Sequence, residues 1–207
     1  MKQRFNILES TCVPLPLENV DTDQISPARF LKATTRDERY FGENLFRDWR
    51  FRPDGSPVEG FVLNDPRYGG EILVAGSNFG SGSSREHAAW ALAGYGFKAV
   101  ISSSFADIHK QNELNNFVLP VAVSPEFLSE LFAGIATDPK VRVRIDVPAQ
   151  RVTNLATGRC EEFDLDPYKK YCLMNGWDDI DFLLQQKERI EAFEKQRDEI
   201  QNREASR

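Results

Sequence analysis

Residues 76–90 read GSNFGSGSSREHAAW, and within them Ser83, Ser84 and Arg85 carry the side chains most suited to chemistry. Gly80 and Gly82 precede them, in a loop that follows the apolar run EILVAG at 71–76 and opens a helix. A loop of this kind exposes backbone N–H groups, and the helix N-terminus adds roughly half a positive charge, so the position suits an anion. The spacing of Gly76, Gly80 and Gly82 matches neither a GxGxxG dinucleotide loop nor a phosphate loop with its Lys-Ser or Lys-Thr, and no GxSxG elbow is present. A plainer reading keeps Gly80 and Gly82 as a tight turn, with Ser83 or Ser84 as the helix N-cap. Arg85 favours the anion. An arginine in the first helical turn opposes the helix dipole, and a loop already rich in N–H donors then carries an excess of positive potential. A carboxylate held bidentately by Arg85 and by backbone amides fits that excess. Such surroundings also favour the ionised form of a serine hydroxyl, which makes Ser83 a candidate base when a cation is near. Glu86 reads as a first-turn acid matched to the dipole, and His87 as a packed histidine.

The elements around the loop alternate. The run at 71–76 reads as a buried strand, and Ala88, Ala91, Leu92 and Tyr95 share one helical face, with Gly94 and Gly96 as the stop. FKAVISSS (97–104) reads as a second strand, FADIHKQN (105–112) as a helix start, VLPVAV (118–123) as a third strand and SPEFLSELFAGI (124–135) as a helix opened by Ser-Pro. This is the order of parallel α/β packing. Beyond Pro139 the pattern turns to antiparallel hairpins: VRVRIDV (141–147) alternates, and RVTNL (151–155) pairs through the ATG turn with RCEEFDL (159–165). A helix over 166–176 ends at Gly176. A last one starts near Asp178 or Asp179, with Ile180, Leu183, Leu184, Ile190 and Phe193 on its apolar side. The proline-punctuated first seventy residues read as a β-rich lobe with one long surface loop. The polar final residues are expected to fray.

A length of 207 residues suits one domain. A net charge of −6 argues against nucleic acid, which needs a basic face. No stretch is long and apolar enough for a signal peptide or a membrane span, which points to a cytoplasmic protein without membrane partners. Three well-separated cysteines (Cys12, Cys160, Cys172) and only two histidines, with no CxxC, make the chain a poor metal host of its own.

NFGSGSSREHAAWAL (78–92) resembles the signature of the aconitase superfamily's swivelling domain. NVDTDQISPARFLK (19–32), SFADI (104–108) with Asn112 and the Leu-Pro of 119–120, and FDLDPYKKYCLMNGWDDIDFLL (163–184) are similar, in the right order, to segments of the small-subunit family of 3-isopropylmalate dehydratases. The resemblance implies an α/β fold, a swivelling β/β/α domain with a mixed sheet and flanking helices. That domain would span 1–195, with a substrate-recognition loop at 28–40 and a polar tail at 196–207. It implies a hydro-lyase subunit, active only with a large subunit that carries a [4Fe–4S] cluster, exchanging 2- and 3-isopropylmalate through isopropylmaleate in leucine biosynthesis. No cofactor would be bound by this chain. Ser83 falls where the superfamily has its catalytic base and Arg85 where it has a carboxylate-binding arginine, with Ser84 beside them. Phe30, Leu31 and Lys32 fall in the recognition loop, and either Lys32 or Arg36 fills the role of a second substrate-binding cation. Asn116-Phe117 stands where Asn-Gly is usual, and His109-Lys110-Gln111 is atypical. Small subunits for citraconate/2-methylmalate or homoaconitate, or a non-catalytic anion-binding scaffold, stay open as alternatives.

Overall fold

The computed structural model describes residues 4–32 and 37–205. Its centre is a seven-stranded mixed sheet in the order β4-β3-β2-β1-β5-β6-β7. Strand β1 (Ile7–Leu15) is the joint. Its first half, Ile7 to Thr11, pairs antiparallel with β5 (Arg142–Asp146), while Cys12 to Leu15 pair parallel with β2 (Ile72–Ala75). From β2 the parallel half continues to β3 (Ala99–Ser102) and β4 (Leu119–Ala122). From β5 the antiparallel half continues to β6 (Arg151–Asn154) and β7 (Cys160–Glu162). β2 and β3 are buried at every position, as parallel strands covered on both faces must be, and this is why they read as unbroken apolar runs.

Alternate residues of the strands feed two cores. Ile72, Val74 and Ile101 point to one side, where helix α6 (Pro125–Thr137) lays down Phe127, Leu128, Leu131 and Ile135. Leu73, Ala75 and Val100 point to the other, against α4 (Glu86–Tyr95) with Ala88, Ala91 and Leu92. The α6 boundaries follow the sequence: Ser124 caps Phe127 N, and Pro125 fills the first turn. Between β3 and β4 lies α5 (Asp107–Asn115).

The N-terminal seventy residues depart from the sequence reading. β1 is the one strand there among the described residues, and the other regular elements are helical: α1 (Thr22–Ile25), a 3-10 turn at Ala28–Lys32, α2 (Glu38–Glu43), α3 (Arg47–Arg50) and a 3-10 turn at Val62–Asn64, joined by turns and loops. For α2 the physical reason is a close helix crossing with α4. A Cβ on Gly94 would sit 1.8 Å from Glu38 O, and one on Gly42 would sit 2.2 Å from Gly94 C. Gly94 therefore serves contact with α2, and Gly96 alone, at φ +112°, caps α4. Phe41, Leu45 and Phe46 are buried by this arrangement.

At the far end, α7 (Pro167–Asn175) stops at Gly176 in the left-handed conformation. The single last helix read from sequence is two, α8 (Asp179–Gln185) and α9 (Lys187–Ala205). The segment expected to fray is helical as far as Ala205, and Ile180, Leu183, Leu184 and Phe193 are exposed.

Candidate active site

The loop between β2 and α4 is tied on one flank to the segment that opens α1. Gly80 N and Ser81 N both donate to Val20 O, at 2.8 and 3.2 Å, and Thr22 N donates to Ser81 O at 2.9 Å. Asp21 caps α1 by accepting from Gln24 N, while the Gln24 side chain accepts from Asp21 N. With the backbone so fixed, the next two side chains reach across. Thr22 Oγ1 donates to Ser83 O at 2.8 Å, and Asp23 forms an ion pair with Arg85 Nη1. Gly82, at φ +89°, would place a Cβ 3.3 Å from Asp21 Cβ, so the turn suits glycine for both conformation and space.

On the other flank, Phe79 N donates to Ser104 O at 3.1 Å and Ala106 N to Phe79 O at 3.0 Å, which ties the loop to the entrance of α5. Between the flanks lies a cavity of about 270 Å³ lined by Gly80, Gly82, Ser83, Ser84 and Arg85, with Thr22 and His109 among its walls. Ser83 and Ser84 are exposed, whereas the Arg85 side chain is only 18% exposed. A largely desolvated guanidinium beside two exposed hydroxyls is suited to bind a carboxylate and present its neighbouring carbon to a serine.

Several expectations are corrected here. Arg85 is itself the N-cap of α4, with extended backbone and no side-chain cap bond, so neither Ser83 nor Ser84 caps the helix and both side chains are spared that role. Nor is the positive potential unopposed, because Asp23 takes part of it. Asp23 and Thr22 were missed in the sequence because they lie about sixty residues from the loop. Their signal was the Asp-Thr-Asp at 21–23 within a segment already singled out. Phe30, Leu31 and Lys32 are not among the residues lining this cavity. Phe30 lines a separate one of about 620 Å³ with Arg29 and Asp48, its ring edge-on to Tyr40 at 6.1 Å. Lys32 is exposed at the end of its 3-10 turn, and Arg36 lies outside the described residues. His87 packs between Phe41 and Trp90, at 5.3 and 4.5 Å, and burial lowers its pKa, in keeping with a packed histidine.

A family model described as the aconitase C-terminal domain matches residues 2–126, more than half of the chain. A 3-isopropylmalate dehydratase small subunit from Christiangramia forsetii is 60% identical over 195 residues, covering 94% of each chain. The chain belongs to this small-subunit family. Another member, from Cytophaga hutchinsonii, is 53% identical over 193 residues, 93% of this chain and 95% of that one. The crystal structure of a 3-isopropylmalate dehydratase from Methanocaldococcus jannaschii superposes with a TM-score of 0.65 over 91% of this chain and 99% of that one; at 23% identity it supports the fold. The aconitase-type α/β fold, with its mixed curled sheet and flanking helices, thus agrees with the resemblance read from the motifs.

An iron–sulfur cluster does not fit this chain's own residues. Among the described residues no group of three or more His, Cys, Asp or Glu side chains is placed to hold a metal ion. Cys12 and Cys172 are buried and Cys160 is exposed on β7, and burial pushes the Cys12 thiol up to about 12, which keeps it protonated. Among the described residues no helix is long and apolar enough to cross a membrane.

Proposed function

We propose that this chain is the anion-clamping and proton-accepting half of a two-chain hydro-lyase that interconverts 2- and 3-isopropylmalate through isopropylmaleate, as in leucine biosynthesis. The supporting observation is the junction between the 21–23 segment and the glycine loop, which holds Arg85 through Asp23 and the Ser83 backbone through Thr22, on one cavity. Arg85 grips one substrate carboxylate through a planar fork. Ser83, as its alkoxide, takes the proton from the carbon next to that carboxylate and becomes the neutral hydroxyl. Ser84 and the Gly82 amide add donors to the bound anion, whereas the Gly80 amide expected to join them is engaged by Val20 O.

Phe30, Leu31 and Lys32 read the substrate's variable group from the exposed 3-10 turn, and Lys32 or Arg36 supplies a second cation. Departure of the β-hydroxyl needs an electrophile that the described residues do not supply, and we place a [4Fe–4S] cluster on the large-subunit partner for that purpose. The unit over 1–195 swivels as one body over that partner, in the cytoplasm.

The test is to combine the chain with a cluster-bearing large subunit anaerobically and follow isopropylmaleate by its ultraviolet absorbance. Ser83→Ala is expected to lower kcat on the order of 10²–10⁴-fold with subunit association intact, the scale of a lost general base. Normal turnover in Ser83→Ala removes Ser83 as the base. Turnover of citraconate or homoaconitate without isopropylmalate moves the chain to another diacid.

A further inference from the structure

Beneath the glycine loop, α5 buries two ionisable side chains that the proposed chemistry does not use. His109 and Glu113 stand one helical turn apart, with side chains 1% and 0% exposed. His109 Nε2 lies 3.0 Å from Glu113 Oε1, yet off the line of a well-formed hydrogen bond, so the polar atoms of both side chains lack an aligned partner. Two such groups are costly to bury, and a packed apolar pair would fill the same volume without that cost. Burial pushes the Glu113 carboxyl above the usual carboxylate range, with the adjacent imidazole pulling it back only in part.

The imidazole has a definite seat. A Cβ on Gly80 would fall 2.0 Å from His109 Cδ2 and 2.1 Å from Cγ, so the ring edge occupies the space that any other residue at 80 would fill. Phe79 meets the same ring at 5.5 Å, and His109 also walls the cavity that holds Ser83, Ser84 and Arg85. The two functional side chains are therefore supported differently. Arg85 starts α4 and is held by Asp23, whereas Ser83, its carbonyl held by Thr22, follows the turn through Gly80 and Gly82 that rests on the His109 ring.

We propose that His109 is a positioning residue for Ser83: its ring, packed against Phe79, sets the height of the Gly80–Gly82 turn that carries the base. This rests on Ser83 being the base. His109→Gln keeps a nitrogen within reach of Glu113 but leaves no ring under Gly80. In the reconstituted complex it should lower kcat on the order of 10-fold to 10²-fold, the scale of a reacting group displaced by about 1 Å, with KM within about two-fold because Arg85 is untouched. Glu113→Gln preserves the ring and a neutral partner and should keep kcat within about three-fold of the wild type.

A readout without turnover uses the isolated chain: with Ser83→Cys as a thiol probe, adding His109→Gln should change the iodoacetamide alkylation rate more than about three-fold, because the turn has moved. Unchanged kcat in folded His109→Gln, unchanged alkylation, or a loss in Glu113→Gln as deep as in His109→Gln each overturns the proposal. Ser83→Ala run in parallel separates the two ideas: turnover there removes the base itself, whereas an inactive Ser83→Ala beside a normal His109→Gln removes only the positioning role.

Discussion

The glycine loop and the 3-10 turn at Ala28–Lys32 share one task in the proposed reading, yet they are built oppositely. The loop is held on both flanks by backbone hydrogen bonds to residues 20–22 and 104–106, and its arginine is largely buried and already paired. The turn, only a few residues beyond Asp23, has no buried residue at all. Groups that must meet a developing charge gain from being fixed in advance, because no reorganisation is then needed during the reaction. Groups that read a substrate's variable end can stay exposed until a partner chain closes over them. Within one short segment, residues 21–23 serve the fixed part and residues 28–32 the exposed part.

That contrast can be broken first at Arg85. Arg85→Lys replaces a planar fork with a point charge, and apparent substrate affinity should fall on the order of 10²-fold, read as KM in the reconstituted complex. An unchanged KM would remove the clamp. Next comes Asp23→Asn, which keeps the shape but not the charge that orients Arg85. A loss of about 10-fold in kcat/KM is expected, since the guanidinium loses its anchor, and an increase would show that Asp23 only competes with substrate.

On the exposed side, Leu31→Ala should leave kcat nearly unchanged while lowering discrimination between isopropyl- and methyl-substituted substrates by about five-fold. That is less than a methylene is worth in a closed pocket, because Leu31 is only half-buried. No change in the ratio of kcat/KM values would mean that Leu31 does not read the substrate.

The smallest effect concerns the support under the fixed side. Burial raises the Glu113 carboxyl above the ordinary 4.5. A group with a raised folded pKa contributes stability that is present below the unfolded value and lost as pH rises through the folded one. Glu113→Gln stays neutral at every pH. It should therefore melt a few degrees above the wild type near pH 8, with the gap closing toward pH 4.5. A pH-independent gap in thermal unfolding would show that Glu113 carries no such burden.

Local rules made the parallel half legible. EILVAG, the glycine loop and the Ala88–Ala91–Leu92 face needed only periodicity and turn chemistry, and Ser124-Pro125 marked its helix because capping is settled within four residues. The same rules misread the N-terminal part. Prolines and short apolar pieces suggested strands, while α2 is seated by a backbone approach between Gly42 and Gly94, far apart in the chain. They also missed Asp23, whose partner is 62 residues away, and gave no role to His109 and Glu113, although their i, i+4 spacing was visible.

The sequence by itself thus determined the family, the order of the elements and the residue types at the loop, because these depend on identity and near-neighbour spacing. The tertiary structure alone decided that Arg85 is paired, that Ser83 and Ser84 are free of the helix cap, and that a buried histidine lies under Gly80. The pairing of Arg85 and the seat of the histidine are contacts between segments that no local pattern encodes, fixed only when the sheet brings the ends of β1, β2 and β3 to one edge.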